Sequence, residues 1–308
     1  MALTNVFYQV IVLFIEIILG FFLVQIRIFD DGMVRKLTRF IGNVTLPALI
    51  ISAMNFAYDP VMMRNGMMIL INGFGYYVAA VIMAFAYMKL ISVNPRQEGV
   101  HGFSLIFANV GFMGYPVIQA IYGMEGIFYA AIYNIWFNVF LYTIGILMLS
   151  KHQGDGDHFQ PKKLLSNPNL VALAFGLIFF IFSIDKPEPI DIVFEQVGGL
   201  TTPLAMLSVG AMLHGSSVRE IIKNKTLWLT SLLRMIWMPL LTYFVLKQFD
   251  MEGLALGIPV VMAGMPAAAN GAIFAQIYDA DYQLSSQIVF TTTLMSVVGI
   301  PLLVLLLQ

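Results

Sequence analysis

The chain alternates long runs of apolar residues with short polar connections. A helix needs about 20 mostly apolar residues to cross ~30 Å of hydrocarbon. Such runs fall at 6–26, 37–55, 66–89, 97–121, 126–149, 167–185, 192–213, 225–247, 252–278 and 284–307. The pattern predicts an all-α polytopic membrane protein with ten transmembrane helices. One connection, 151–166 (KHQGDGDHFQPKKLLS), is long and hydrophilic, and it separates two groups of five spans, 1–150 and 167–308.

Composition excludes a water-soluble alternative. Of the 308 residues, 59% are hydrophobic and 11% charged, with a mean hydropathy of +0.85; a soluble surface needs about a quarter charged. A net charge of −1 argues against nucleic acid as a partner, since phosphate binding needs a concentrated basic face. Cysteine is absent, so no disulfide or thiolate metal site is expected. Met1–Gln9 has no Lys or Arg, unlike the basic start of a cleavable signal, so the first apolar run is expected to be a retained helix. The segment His152–His158 (HQGDGDH) reads as a solvated loop rather than a metal site. With no H-E-x-x-H, G-x-S-x-G or Walker A pattern, neither an enzyme nor an ATP-driven pump is expected, and no cofactor.

The cations predict orientation. Arg27, Arg35, Lys36, Arg39, Lys89, Arg96, Lys151, Lys162, Lys163, Arg219, Lys223 and Lys225 follow spans 1, 3, 5 and 7, against Arg64, Lys186 and Lys247 on the other side. The positive-inside bias puts the central loop in the cytoplasm and both termini outside, in a cell inner (plasma) membrane.

Span 2 carries G-N-V-T-L-P-A-L-I-I-S (Gly42–Ser52) and span 7 carries G-G-L-T-T-P-L-A-M-L-S (Gly198–Ser208). The shared G-x-x-T-x-P-x-x-x-x-S pattern marks an internal repeat. Five spans is an odd number, so the second copy enters from the opposite side: an inverted repeat, as in many secondary transporters.

Span 4 holds Asn109, Gly111, Gly114 and Pro116 within eight residues; span 9 holds Pro259, Gly264, Pro266, Asn270 and Gly271. Interior proline and glycine break helices, and in hydrocarbon a break persists only within protein or along a wet cavity. Broken helices in the two halves point to a midplane site, where helix starts and the amides of Asn109 and Asn270 would meet an anion. The alternative is that glycine and proline only shape close packing. The breaks align at an offset of 150 residues, against 156 for the pattern of spans 2 and 7.

Other intramembrane polar residues carry paired readings. Arg234 in span 8 attracts an anionic substrate or holds the crossing in shape, with a structural ion pair or a link to backbone carbonyls as the alternative. Glu16 in span 1 is a candidate carrier of a coupling proton, with a hydrogen-bonded carboxyl as the alternative. Asn134 and Asn138, one turn apart, line a cavity or bond between helices. Ser52 and Ser208 face the crossing or bond back to helix carbonyls; for Thr45 and Thr201 back-bonding is expected. Asn72 and Gln119 read as packing donors.

The stretch A-N-V-G-F-M-G-Y-P-V-I-Q-A-I-Y-G (Ala108–Gly123) resembles the fourth-helix signature of the auxin efflux carrier family, which includes plant PIN-type carriers and bacterial organic-acid permeases. The resemblance implies a scaffold of helices 1, 2, 6 and 7 and a transport domain of helices 3–5 and 8–10, in which broken helices 4 and 9 cross. It assigns Asn109 to the substrate carboxylate and Pro116 to the crossing. It further implies elevator-type movement and a homodimer. The short central loop departs from the plant members, so regulation through a long loop does not carry over. The expected function is secondary transport of a small organic anion, a mono- or dicarboxylate, with a proton or sodium ion as candidate coupling ion. The alternatives are an anion channel and a sodium-coupled bile-acid-type symporter.

Overall fold

A computed structural model describes residues 3–150, 165–184, 186–214 and 218–307. Among these the chain is helical, and its one extended pairing is an isolated bridge. In chain order the α-helices are α1 (Leu3–Gln25), α2 (Asp31–Phe40), α3 (Leu46–Ser52), α4 (Pro60–Leu90), α5 (Pro95–Ile106), α6 (Tyr115–Phe140), α7 (Ile146–Ser150) and α8 (Pro168–Ile181). Then follow α9 (Glu188–Gly199), α10 (Thr201–Met212), α11 (Val218–Lys223), α12 (Lys225–Leu232), α13 (Met238–Gln248), α14 (Gly253–Ala263), α15 (Gly271–Ile277) and α16 (Tyr282–Leu306).

Six described stretches are long and apolar enough to cross a membrane: Tyr8–Gln25, Pro60–Leu90, Val110–Ser150, Glu188–Met212, Lys225–Gln248 and Tyr282–Leu306. Pro168–Ile181 and Gly253–Ala263 are apolar but shorter. The expected spans at 37–55 and 97–121 are not single helices. The first is divided among α2, a π-helical turn and α3, and the second is interrupted after α5.

Helix starts are written locally. Asn94 caps α5 by accepting from Gln97 N–H, and Asn167 caps α8 by accepting from Asn169 and Leu170 N–H. Each is followed by a proline, whose missing N–H costs nothing in the first turn. Three prolines deeper in the spans have another solution. Pro47, Pro116 and Pro239 each stand two residues after a π-helical turn, at Ile41–Thr45, Val110–Gly114 and Leu233–Trp237. A proline ring clashes with the carbonyl four residues back, and widening the preceding turn relieves that crowding.

The chain forms two compact units. The first comprises 1–69, 111–132 and 165–215. Within it α1 and α10 pack backbone to backbone. A side chain at Gly20 would strike the Leu207 carbonyl, and one at Gly210 would strike the Ile17 carbonyl, the close approach that small residues allow between membrane helices. Likewise Gly198 abuts Leu49 of α3.

The second unit comprises 70–110, 133–164 and 216–308. An aromatic group fills part of its interior: Tyr77 stacks on Phe140 with centroids 5.4 Å apart, and Phe107 meets Phe137 edge-on at 5.6 Å. Gly99 of α5 lies against the Met148 carbonyl of α7.

Candidate functional site

In the second unit, two unwound segments meet. Helix α5 ends at Ile106 and the chain is extended through 107–109; α14 ends at Ala263 and regular helix resumes only at Gly271. Ala108 and Ala267 form an antiparallel bridge. Asn109 N–H donates to Pro266 O at 2.7 Å, and Ala268 N–H donates to Phe107 O at 2.9 Å. In an unbroken helix Asn109 N–H would serve Leu105 O, and Phe107 O would receive Gly111 N–H. Each break thus supplies partners that the other has lost, which removes a cost of several kcal/mol per unsatisfied group in an apolar medium.

The Leu105 carbonyl, released by this exchange, is taken by Arg234. The Arg234 side chain projects from the π turn before Pro239 and is fully buried. Its Nη1 donates to Leu105 O at 3.0 Å and to the Tyr76 hydroxyl at 2.8 Å, while Nε donates to Met265 O at 3.2 Å. One guanidinium therefore holds a carbonyl from each break. Its Nη2 is buried and has no hydrogen-bond partner among the described residues, and Arg234 forms no ion pair there. The second break has a further support. Thr292, fully buried in α16, accepts Ala267 N–H at 3.1 Å and donates to Ile288 O at 2.7 Å.

Asn109 itself is buried, 3% exposed, at the end of the first unwound segment. A separate buried polar group lies on α5. His101 Nδ1 is 2.6 Å from Thr230 Oγ1, which also meets the Tyr87 hydroxyl at 2.7 Å. Thr230 Oγ1 also lies 2.9 Å from Thr226 O, so one hydroxyl joins three polar neighbours.

Comparison with known proteins agrees with a chain built on broken, membrane-length helices. Residues 5–304 match the membrane transport protein family. The chain belongs to this family, that of the auxin efflux carriers. It is 27% identical over 289 residues to an uncharacterized transporter of Methanothermobacter thermautotrophicus, covering 93% of each chain. It is 25% identical over 214 residues to an uncharacterized transporter of Methanocaldococcus jannaschii, covering 67% of this chain and 68% of that one. It is accordingly a multi-pass membrane transporter, of a family that is not enzymatic.

Of the residues singled out from the transporter's sequence, the second unit contains Asn109, Asn134, Asn138, Arg234, Gly264, Pro266 and Asn270. Pro266 contributes the acceptor for Asn109, and Gly264 lies where any side chain would press into Leu303. Asn134 and Asn138 are both buried; Asn138 Nδ2 donates to Asn134 O at 2.9 Å, a bond within α6 and not between helices. Asn270 opens α15 without capping it by its side chain.

The first unit contains Glu16, Ser52, Gly111, Gly114 and Pro116. Here the expected break is corrected: Gly111 and Gly114 sit in a π turn and Pro116 in the first turn of α6, while the unwinding lies earlier, at 107–109. Glu16 is half-buried, and its Oε2 has no hydrogen-bond partner among the described residues. Ser52 ends α3, half-buried. The back-bonding expected of Thr45 and Thr201 is not found. Both hydroxyls are buried without a partner among the described residues, whereas Ser208 does bond back, to Leu204 O at 2.8 Å. Gln119 accepts from the Thr202 hydroxyl at 2.9 Å, as a packing residue would. The loop residues His152–His158 lie outside the described residues.

Sequence reading missed Tyr76 and Thr292. The run Thr291–Thr293 in the middle of a strongly apolar span was a usable signal. Tyr76 had none, because a tyrosine in a membrane helix is ordinary.

Proposed function

We propose that the protein is a secondary transporter of small organic anions, mono- or dicarboxylates, working by alternating access. The observation that carries this reading is Arg234. It is fully buried, ion-paired to no described carboxylate, bonded to carbonyls of both breaks, and left with an unpartnered Nη2. A buried charge without a counter-ion is costly, and a substrate carboxylate arriving beside the paired breaks would compensate it. Asn109 and Asn270 supply amides for orienting that anion, and Asn134 and Asn138 add buried polar groups from α6.

In this reading the ten spans form two inverted five-helix repeats, 1–150 and 167–308, joined by the cytoplasmic segment 151–166, with both termini outside. Helices 1, 2, 6 and 7 serve as the scaffold, and helices 3–5 and 8–10, including the crossed broken pair, move as an elevator. A homodimer and coupling to a proton or sodium belong to the same proposal, with Glu16 as the proton-coupling candidate.

The test is a thermal-shift screen of small carboxylates on the purified protein, followed by uptake and counterflow in proteoliposomes with imposed pH and sodium gradients. A carboxylate that stabilises the protein and shows trans-stimulation is expected. Conductance without trans-stimulation would replace the carrier by an anion channel.

A further inference from the structure

Helix α2 passes through the π turn Ile41–Thr45 into α3 with helical backbone throughout. One face of this stretch is tied down within the first unit, where Val34 and Leu37 pack with Phe29 and Ala211. Another face is uncovered. Lys36, Arg39, Phe40, Asn43 and Val44 stand at i, i+3, i+4, i+7 and i+8, one side of a helix, and all five are exposed.

The chemistry along that face runs from cationic to apolar. The apolar run 37–55 begins directly after Lys36, which puts Lys36 at the edge of the hydrocarbon. Arg39, one turn further in, reaches the same level with its long stem. Neither cation has an ion-pair partner among the described residues. The two nearby acids are otherwise placed. Asp30 accepts Met33 N–H at 2.6 Å, and Asp31 stands one turn before Arg35, the cation it can offset. Phe40 and Val44 then continue the face about 6 and 12 Å beyond Lys36.

This order of groups selects among occupants. A soluble acidic protein could not follow the face into hydrocarbon. A second copy of the chain, docked by two-fold symmetry, would bring the same cations and not their complement. A zwitterionic lipid carries a cation of its own. A phospholipid of net negative charge offers a phosphate to Lys36 and Arg39 and an acyl chain to Phe40 and Val44.

We propose that the exposed face of α2 and the π turn is a binding site for an anionic phospholipid. Its phosphodiester sits between Lys36 and Arg39, and one acyl chain lies along Phe40 and Val44. The site belongs to the first unit, and its test reads binding, not flux, so it stands or falls independently of the transport reading.

The probes are phosphatidylglycerol and phosphatidylcholine carrying the same acyl-chain diazirine, each as a minor component of phosphatidylcholine nanodiscs holding the full-length protein. Phosphatidylglycerol should label 36–44 at least about fivefold more than phosphatidylcholine, the effect of one cation beside a charged headgroup. Lys36→Gln/Arg39→Gln should abolish that preference; both side chains are exposed, so the fold should persist. Lys223→Gln/Lys225→Gln removes the same charge at another exposed place and should leave the preference intact. Equal labelling by the two lipids would overturn the proposal and leave ordinary lipid contact, and that comparison uses the unaltered chain. Equal loss in the two double variants would overturn it in favour of unspecific charge attraction. Absence of both labels from 36–44 would overturn it and give the face to a second copy.

Discussion

The backbone N–H of Asn109 donates to the carbonyl of Pro266 at 2.7 Å, although the two residues are far apart in sequence and each stands where a helix has stopped. The main chain of Asn109 thus holds the pairing, and its buried side chain takes no part in that bond. Asn109→Ala keeps the main-chain bond, so its apparent stability should change by no more than about 1.5 kcal/mol, the range of one side-chain hydrogen bond. Uptake in proteoliposomes should nevertheless be lost. Ala268→Pro removes the N–H that serves Phe107 O and should lower the melting temperature markedly. Full uptake by Asn109→Ala would count against its role in binding.

Arg234 should not tolerate its usual conservative replacement. Lysine keeps the charge but lacks the planar fork that reaches Leu105 O, Met265 O and Tyr76 together. Leaving a buried acceptor unpaired costs about 1–3 kcal/mol, so Arg234→Lys should destabilise the protein by about 2–4 kcal/mol and abolish carboxylate-induced thermal shifts. Native-like melting with intact ligand shifts would remove Arg234 from the site.

Glycines in the first unit should divide sharply. At Gly210 an added methyl would run into the Ile17 backbone carbonyl, which cannot rotate away; at Gly42 it would meet nothing within 4 Å. Gly210→Ala is expected to lower the melting temperature by several degrees and Gly42→Ala to leave it unchanged, as measured by thermal unfolding in detergent.

Thr45 and Thr201 hold the same position of the G-x-x-T-x-P-x-x-x-x-S pattern, and both bury hydroxyls unpartnered among the described residues. Replacing an unsatisfied buried hydroxyl by a methyl relieves its desolvation. Thr45→Val and Thr201→Val should therefore hold or raise the melting temperature. A drop of more than about 1 kcal/mol in apparent stability for either would mean that the hydroxyl is satisfied in the membrane, for instance by water.

The residues that told most in the sequence were those whose effect is local. Apolar runs announce membrane helices because hydropathy needs no partner elsewhere, and the caps Asn94 and Asn167, found in the structure, act within one turn. Pro116 and Gly114 announced trouble in a helix for the same reason, yet misplaced it. A proline can be absorbed by widening one turn, and whether a chain unwinds instead depends on partners elsewhere. The unwinding fell at Phe107–Asn109 because Pro266 and Ala268 were there to receive it.

The amino-acid order alone determined that this chain lives in a membrane, that long apolar helices carry it there and which family it belongs to. These follow from hydropathy, helix period and backbone chemistry acting over a few turns. Only the tertiary structure decided that the two interruptions satisfy one another, that Arg234 takes the carbonyls they release, and that Tyr76 and Thr292 complete the arrangement. Hydrogen-bond partners distant in sequence leave no local pattern, because each freed group needs only some partner, and the packing of the second unit selects which one.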